Sequence, residues 1–258
     1  MKKLTQNLTL AVAITLALAT LGAGMAHAED AKPAEPTPDN VVAYNVALAT
    51  DYRYRGISQT HLKPAVQGGV DYTNNPTGLY VGTWLSNIHW VKDSGGDGNV
   101  EWDIYAGKRG EIVKDVSYDV GGLYYFYPSN KLSGVSGFAN ANTFELYGQI
   151  GYGPAYVKYS TSTTNLFGNL DSKNSGYLDA GVNYDVYDGY TLNLHAGHQN
   201  IKNNGGFSYS DYKIGVTKDF GFASVALAAI KADTSAYVGP EGKNLGKTGL
   251  VLVVTKTF

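Results

Sequence analysis

Charged side chains alternate with apolar ones near the start of the chain, in the stretch VVAYNVALATDYRYRG. Asp51, Arg53 and Arg55 occupy every second position, and in an extended strand such residues share one face. Val42 and Tyr44 lie on the opposite face. A row of fixed charges on one strand face suits the steering of ions and polar solutes. Covalent catalysis would instead require a nucleophile beside a base.

In the later segments of the chain, charged residues also occupy alternate positions on one strand face. We expect this face to point inward and to form a mixed polar interior with a mild preference for cations, because nine carboxylates face five lysines and arginines. Arg53 and Arg55 are expected to form a ladder across the interior with Glu101, Asp103 and Arg109. The predicted inward positions are Asp51, Arg53, Arg55, Asp71, Glu101, Asp103, Arg109, Asp119, Glu145, Lys158, Asp179, Asp185, His195, Asp211 and Lys213.

A hydrolytic site is the main enzymatic alternative, and its best candidate is the stretch TLNLHAGHQN. Thr191, Asn193 and His195 share the inward face, and His198 faces outward. The nearest serines are Ser208 and Ser210, but neither lies in a G-x-S-x-G motif. We therefore interpret His195 as one polar interior residue among many and expect no enzymatic activity.

Metal and cofactor sites are not predicted. The chain has no cysteine, which excludes thiolate ligands and disulfides. His61, His89, His195 and His198 are scattered, and the loop DSGGDGN lacks the spacing and final glutamate of an EF-hand.

Twelve segments with a period of two must position these residues. The first begins near Val41 and continues through VVAYNVALATDYRYRG, past Tyr52 and Tyr54. The lengths cluster near the 9 to 11 residues of a tilted transmembrane strand. The other eleven are predicted at 64–72, 79–88, 99–109, 116–127, 142–152, 155–161, 176–186, 190–199, 209–218, 222–231 and 247–258.

The connections between the segments alternate between short and long. YDG and DFG are short, whereas PSNKLSGVSGFANA and ADTSAYVGPEGKNLG are long and polar. Barrels of the outer membrane show this asymmetry, with tight periplasmic turns and extended outer loops. A hydrophobic fraction of 43% and a mean hydropathy of −0.20 exclude a helical membrane bundle. The sequence thus predicts an all-β, antiparallel, up-and-down transmembrane barrel with both termini in the periplasm.

Aromatic residues are predicted to form two belts on the outward face. The facing of Trp84 is left open, because the segment LYVGTWLSNI has apolar residues on both faces. The periplasmic belt should contain Tyr44, Tyr72, Tyr80, Tyr118, Tyr152, Tyr184, Tyr190, Phe222 and Phe258, and the outer belt Tyr52, Tyr54, Trp102, Tyr124, Phe126, Phe144, Tyr159 and Tyr212.

The N-terminal segment predicts export. Lys2 and Lys3 precede an apolar run that ends in the small-residue site AHA, as in a secretory signal peptide cleaved after Ala28. A flexible proline-rich lead-in, residues 29–40, should follow, with the barrel at residues 41–258. The mature chain would carry 18 basic and 22 acidic residues, a net charge of −4, so nucleic acid is not an expected partner.

The final strand should pair with the first, since every backbone polar group in hydrocarbon needs a partner. Together, TDYRYRGISQT, PAVQGGVDY, GLYVGTWLSNI and EWDIYAGKRG resemble, in order and spacing, the proteobacterial TorF-type porin family (Gcw_chp), from about Val41 to the VVTKTF end. The resemblance implies an outer-membrane porin in contact with lipid. It also implies that Phe258 is the signal read by the barrel-assembly machinery.

The expected function is therefore passive diffusion of small hydrophilic solutes or ions. A structural or adhesin-type barrel with a closed lumen is the second interpretation, because the long outer loops suit it equally. An outer-membrane hydrolase is a distant third.

Overall fold

The computed structural model describes residues 38–258. The predicted signal peptide and most of the predicted lead-in, residues 1–37, lie outside the described residues. Within residues 38–258 no helix is long and apolar enough to cross a membrane.

Twelve antiparallel strands form a closed barrel, as predicted. Eleven of them match the predicted segments to within two residues, apart from the far end of the fourth barrel strand, which continues to Val113. The barrel strands are β1 (Asn40–Ala49), β4 (Ala65–Asn74), β5 (Leu79–Asn87), β6 (Val100–Val113), β7 (Val116–Phe126), β8 (Thr143–Tyr152), β9 (Ala155–Ser162), β10 (Gly176–Tyr187), β11 (Tyr190–Asn200), β12 (Tyr209–Asp219), β13 (Ser224–Ala232) and β14 (Gly249–Thr257).

The remaining elements are short and lie between the barrel strands. Two two-residue strands, β2 (Arg53–Tyr54) and β3 (Ile57–Ser58), pair with each other between β1 and β4. A four-residue helix, α1 (Trp90–Asp93), follows β5, and single 3₁₀ turns occupy Leu132–Gly134, Gly205–Phe207 and Pro240–Gly242.

The barrel closes between its first and last strands. β14 pairs with β1 from Asn45 opposite Thr257 to Ala49 opposite Val253. Beyond this ladder, the amide of Phe258 donates to the carbonyl oxygen of Tyr44 at 2.9 Å. Closure leaves no unpaired sheet edge, which is the condition that a hydrocarbon environment imposes on β structure.

Side chains alternate between an exposed apolar outer face and a buried inner face. In β1, Val42, Val46 and Leu48 are 50%, 51% and 59% exposed, whereas Ala47 and Ala49 on the other face are buried. An exposed aliphatic outer wall is the reverse of the pattern in water-soluble barrels.

The prediction for the end of the first segment was wrong. β1 ends at Ala49, and the chain then turns into the lumen instead of continuing upward. Tyr52 and Tyr54, predicted in the outer aromatic belt, are therefore buried inside. Tyr80, predicted in the periplasmic belt, is also buried. Trp84, whose facing the sequence leaves open, faces the lumen, where its ring packs edge-to-face against Tyr52 at 5.4 Å.

Candidate functional site in the barrel lumen

The connection after β1, residues 50–63, folds into the barrel, and we call it the lumen hairpin. It contains β2 and β3, which are joined by a turn in which Arg55 has φ 44° and Gly56 φ 78°. Two successive positive φ angles give the tight hairpin turn that matches strand twist. A Cβ at Gly56 would lie 2.7 Å from the Asp211 Cβ, so glycine also allows the tip to approach the wall.

The lumen hairpin is attached to well-separated parts of the wall. The hydroxyl of Tyr52 donates to Oε1 of Glu101 in β6 at 2.7 Å. On the other side, Nη1 of Arg53 donates to the carbonyl oxygens of Leu245 and Lys247 at 3.1 and 2.9 Å, just before β14. These contacts fix the hairpin across the lumen as a constriction.

Arg55, at the tip of the hairpin, forms the principal ionic contact. Its guanidinium reaches Glu145 of β8 through Nη2 to Oε2 at 2.7 Å and Nη1 to Oε1 at 3.1 Å, and Gln199 of β11 through Nη1 at 2.5 Å. The cation also lies 4.1 Å from the ring centre of Tyr177. Burial alone would lower the pKa of the Arg55 guanidinium, but the Glu145 carboxylate raises it, and the resulting pKa lies well above its ordinary value. Arg55 is therefore a permanent positive charge that links two sides of the barrel.

Arg53 is neutralised within the hairpin itself. Its Nε donates to Oδ2 of Asp51 at 2.5 Å, and Oδ1 of the same carboxylate accepts a hydrogen bond from Ser58 at 2.6 Å. The expected ladder from Arg53 and Arg55 to Glu101 and Asp103 does not form. Glu101 bonds to Tyr52, and Arg55 bonds to Glu145 instead.

The remaining predicted site residues project inward from the barrel strands. Glu101, Asp103, Glu145, Lys158, Asp179 and Asp211 are buried, and Asp185, near the short-turn end of β10, is exposed. The partly buried ones are Asp71, Arg109, Asp119, His195 and Lys213.

His195 lies between two carboxylates in the lower lumen. Its Nδ1 is 2.9 Å from Oδ1 of Asp179, and its Nε2 is 2.7 Å from Oδ1 of Asp211. Ionised carboxylates only accept hydrogen bonds, so donation from both ring nitrogens matches the imidazolium form. The hydroxyl of Tyr177 donates to the second oxygen of Asp211 at 2.8 Å. This group forms a polar network in the wall, in which the partners of the ring are Asp179, Asp211 and the hydroxyl of Tyr177.

Inward tyrosines, which the sequence interpretation missed, bind most of the lower carboxylates. Tyr80 donates to Asp119 at 2.6 Å, and Tyr105 donates to Asp71 at 2.6 Å. Tyr147 hydrogen-bonds to Tyr80, and its ring centre lies 4.0 Å from the ammonium of Lys158. The sequence could have predicted that Tyr105 faces inward, because it lies two residues after Asp103 and residues two apart in a strand share a face.

Residues of the hairpin line a cavity on the outer side and another on the inner side. The outer cavity, at the end with the long loops, has a volume of about 380 Å³, and eight of its lining residues are aromatic. The inner cavity, of about 80 Å³, is lined on one side by charged residues of β10 to β12 and on the other by small apolar residues of β13 and β14. The apolar side consists of Ala226, Ala228, Ile230, Val251 and Val253. The inner cavity beside the hairpin therefore has one charged wall and one apolar wall.

The hydrolase candidates are not assembled into a catalytic site. Oγ of Ser210 lies 3.1 Å from Nδ1 of His198 on the exposed outer face. Asp233 accepts from the backbone amide of Ser210 at 2.6 Å, and not from the imidazole. A carboxylate in that place does not orient the histidine as a general base. Within residues 38–258, no cluster of three or more His, Asp or Glu side chains is placed to hold a metal ion.

The geometry defines the class of the protein: a closed twelve-stranded barrel with an apolar exterior, of the kind found in outer-membrane porins. Comparison with solved structures agrees at the level of the fold. The barrel is similar to a KdgM porin (TM-score 0.51, 7% identity, 84% of this chain and 97% of that chain) and to a NanC porin (TM-score 0.54, 9% identity, 84% and 99%).

The chain belongs to the Gcw_chp family, described as a bacterial protein of unknown function, whose model matches residues 33–258. No curated protein sequence matches the chain.

Proposed function

We propose that the protein is a channel of the outer membrane, of the TorF type in a proteobacterium, for passive diffusion of small hydrophilic solutes or ions. The observation that carries this proposal is the lumen hairpin, which narrows the barrel and lines a cavity on each side of it. Selection would follow from width and charge, and no enzymatic step is involved.

The lumen hairpin would act as the constriction of this channel. Solutes would pass between the charged wall of β10 to β12 and the apolar wall of β13 and β14, because these two walls line the inner cavity. The predicted pore-lining residues, from Asp51 to Lys213, keep the role proposed from the sequence. The excess of carboxylates among the inward residues supports a mild preference for cations.

Export and assembly form part of the same proposal. The signal peptide would be cleaved after Ala28, and the proline-rich lead-in would precede the barrel. The short turns would face the periplasm and the long loops the cell exterior. The barrel-assembly machinery would recognise the last strand with Phe258, whose ring is 70% exposed.

A closed structural or adhesin-type barrel is the alternative that one observation favours. The lumen hairpin is fixed at Glu101, Glu145 and the backbone before β14, and such contacts could block the flow of ions completely. The two functions differ in conductance.

Single-channel recording separates them. Mature protein, residues 29–258, is refolded into a planar bilayer with a salt gradient across it. We expect stable ohmic current steps. The sign of the reversal potential should show that cations pass more easily than anions. Absence of steps from a folded barrel, verified by its heat-dependent shift in gel mobility, would support the closed barrel and refute the channel.

A further inference from the structure

The outer cavity is enclosed by two aromatic walls. On one side Tyr54 packs edge-to-face against Phe167 at 5.5 Å, and Trp90 against Tyr127 at 5.1 Å. The opposite wall consists of Tyr209, Tyr237 and Phe207, whose centroids are 5.2 Å (Tyr209 to Tyr237) and 6.0 Å (Phe207 to Tyr237) apart. The lumen hairpin forms the floor of the cavity.

Contacts between loops hold these walls in place. The side chain of Asn204 donates to the carbonyl oxygen of Leu170 at 2.7 Å, and Asn203 donates to that of Asp171 at 3.0 Å. The hydroxyl of Tyr237 donates to a carbonyl of the neighbouring loop at 2.9 Å. A cavity whose loops are already fixed binds without a large ordering cost.

Several polar groups of the lining bond to the protein itself, and among its buried polar atoms in the described residues only the indole N–H of Trp90 lacks a partner. The hydroxyl of Tyr54 is 2.6 Å from that of Tyr125, and both ends of the Gln199 amide are hydrogen-bonded within the barrel. The carboxylate of Asp93 contacts a histidine ring at 2.9 Å. A sugar has several hydroxyl groups and would give up more hydrogen bonds to water at such a surface than the free Trp90 N–H could replace. An aromatic ring would lose little and would gain edge-to-face contacts.

We propose that this outer cavity is a binding site for small uncharged aromatic molecules of one or two rings. The volume of about 380 Å³ is sufficient, since an apolar protein cavity of about 150 Å³ already accepts benzene. The site lies at the long-loop end, so its ligand would enter from that side. Binding does not require conduction, and the site therefore stands independently of the proposed channel function.

Indole is the probe for this site, with glucose as the hydroxylated comparison. The mature chain is placed in lipid nanodiscs, and binding is measured by saturation-transfer difference NMR against empty nanodiscs. We expect saturable binding of indole with one site per barrel and no saturable binding of glucose. Equal signals from loaded and empty nanodiscs, or equal binding of glucose, would refute the proposal.

Two adjacent substitutions locate the site. Ala236 and Ser235 are both exposed, but only Ala236 is part of the cavity lining. In Ala236→Trp an indole ring is added to the lining and should occupy part of the cavity, so binding should weaken at least about tenfold, equivalent to about 1.4 kcal/mol. Ser235→Trp adds the same ring outside the cavity and should bind indole as the wild type does. Unchanged binding in Ala236→Trp would overturn the assignment.

A second variant provides the test if Ala236→Trp fails to fold. Phe207→Ala removes one ring from the rim, where Phe207 is 43% exposed and packs against Tyr237. Its indole affinity should fall several-fold while the heat-dependent gel shift stays intact. Wild-type affinity in a folded Phe207→Ala barrel would also overturn the proposal.

Discussion

Removing Arg55 should destabilise the barrel and open its constriction at the same time. The side chains of Arg55 and Glu145 are only 1% and 3% exposed, and two hydrogen bonds of 2.7 and 3.1 Å join them. In Arg55→Ala the Glu145 carboxylate remains buried without its partner. Breaking a buried pair in this way typically costs about 3–5 kcal/mol in the free energy of unfolding.

A double variant isolates the interaction energy between Arg55 and Glu145 from the other contacts of the two side chains. Arg55→Ala with Glu145→Ala leaves no buried unpaired charge, so its loss of stability should be smaller than the sum of the two single losses. The interaction energy is measured by urea unfolding of the barrel in lipid vesicles, followed by gel mobility. Lys131→Ala, which removes an exposed ion pair with Asp97 at 3.4 Å, is the control and should leave unfolding unchanged.

The same variant tests the constriction. Arg55→Ala, alone or with Arg53→Ala, should raise single-channel conductance and move the reversal potential further toward cation preference, because a fixed positive charge leaves the narrowest region. Additive stability losses together with unchanged currents would refute both the ionic link and the constriction.

Three further variants test other parts of the lumen. Ala228→Trp should narrow the inner cavity and lower conductance, whereas Leu252→Trp on the exposed outer face should leave it unchanged. Tyr52→Phe removes the hydrogen bond to the Glu101 carboxylate and should cost about 1.5–3 kcal/mol in urea unfolding; a loss below the error of the measurement would contradict this contact. His195→Gln removes the ring that bridges two carboxylates and should shift the reversal potential toward cations, and a shift toward anions would argue against the imidazolium form.

The sequence by itself determined the strands and which side of each strand is polar. Alternation is a local property, since successive side chains of a strand point to opposite faces. For this reason the predicted bounds of β10 and β11 differ from the structure by no more than one residue, and Asp179 and His195 point inward as expected. The sorting of connections into short and long likewise follows from the local turn chemistry.

The tertiary structure decided where the first strand ends and which charges meet. Alternation continues without interruption through Asp51, Arg53 and Arg55, so nothing local marks the inward turn after Ala49. That turn is stabilised by partners 49 to 194 residues away, from Glu101 to Lys247, and their proximity depends on the closure and stagger of the whole barrel. The constriction and the aromatic cavity above it are therefore products of barrel geometry, because they join residues that the chain order keeps apart.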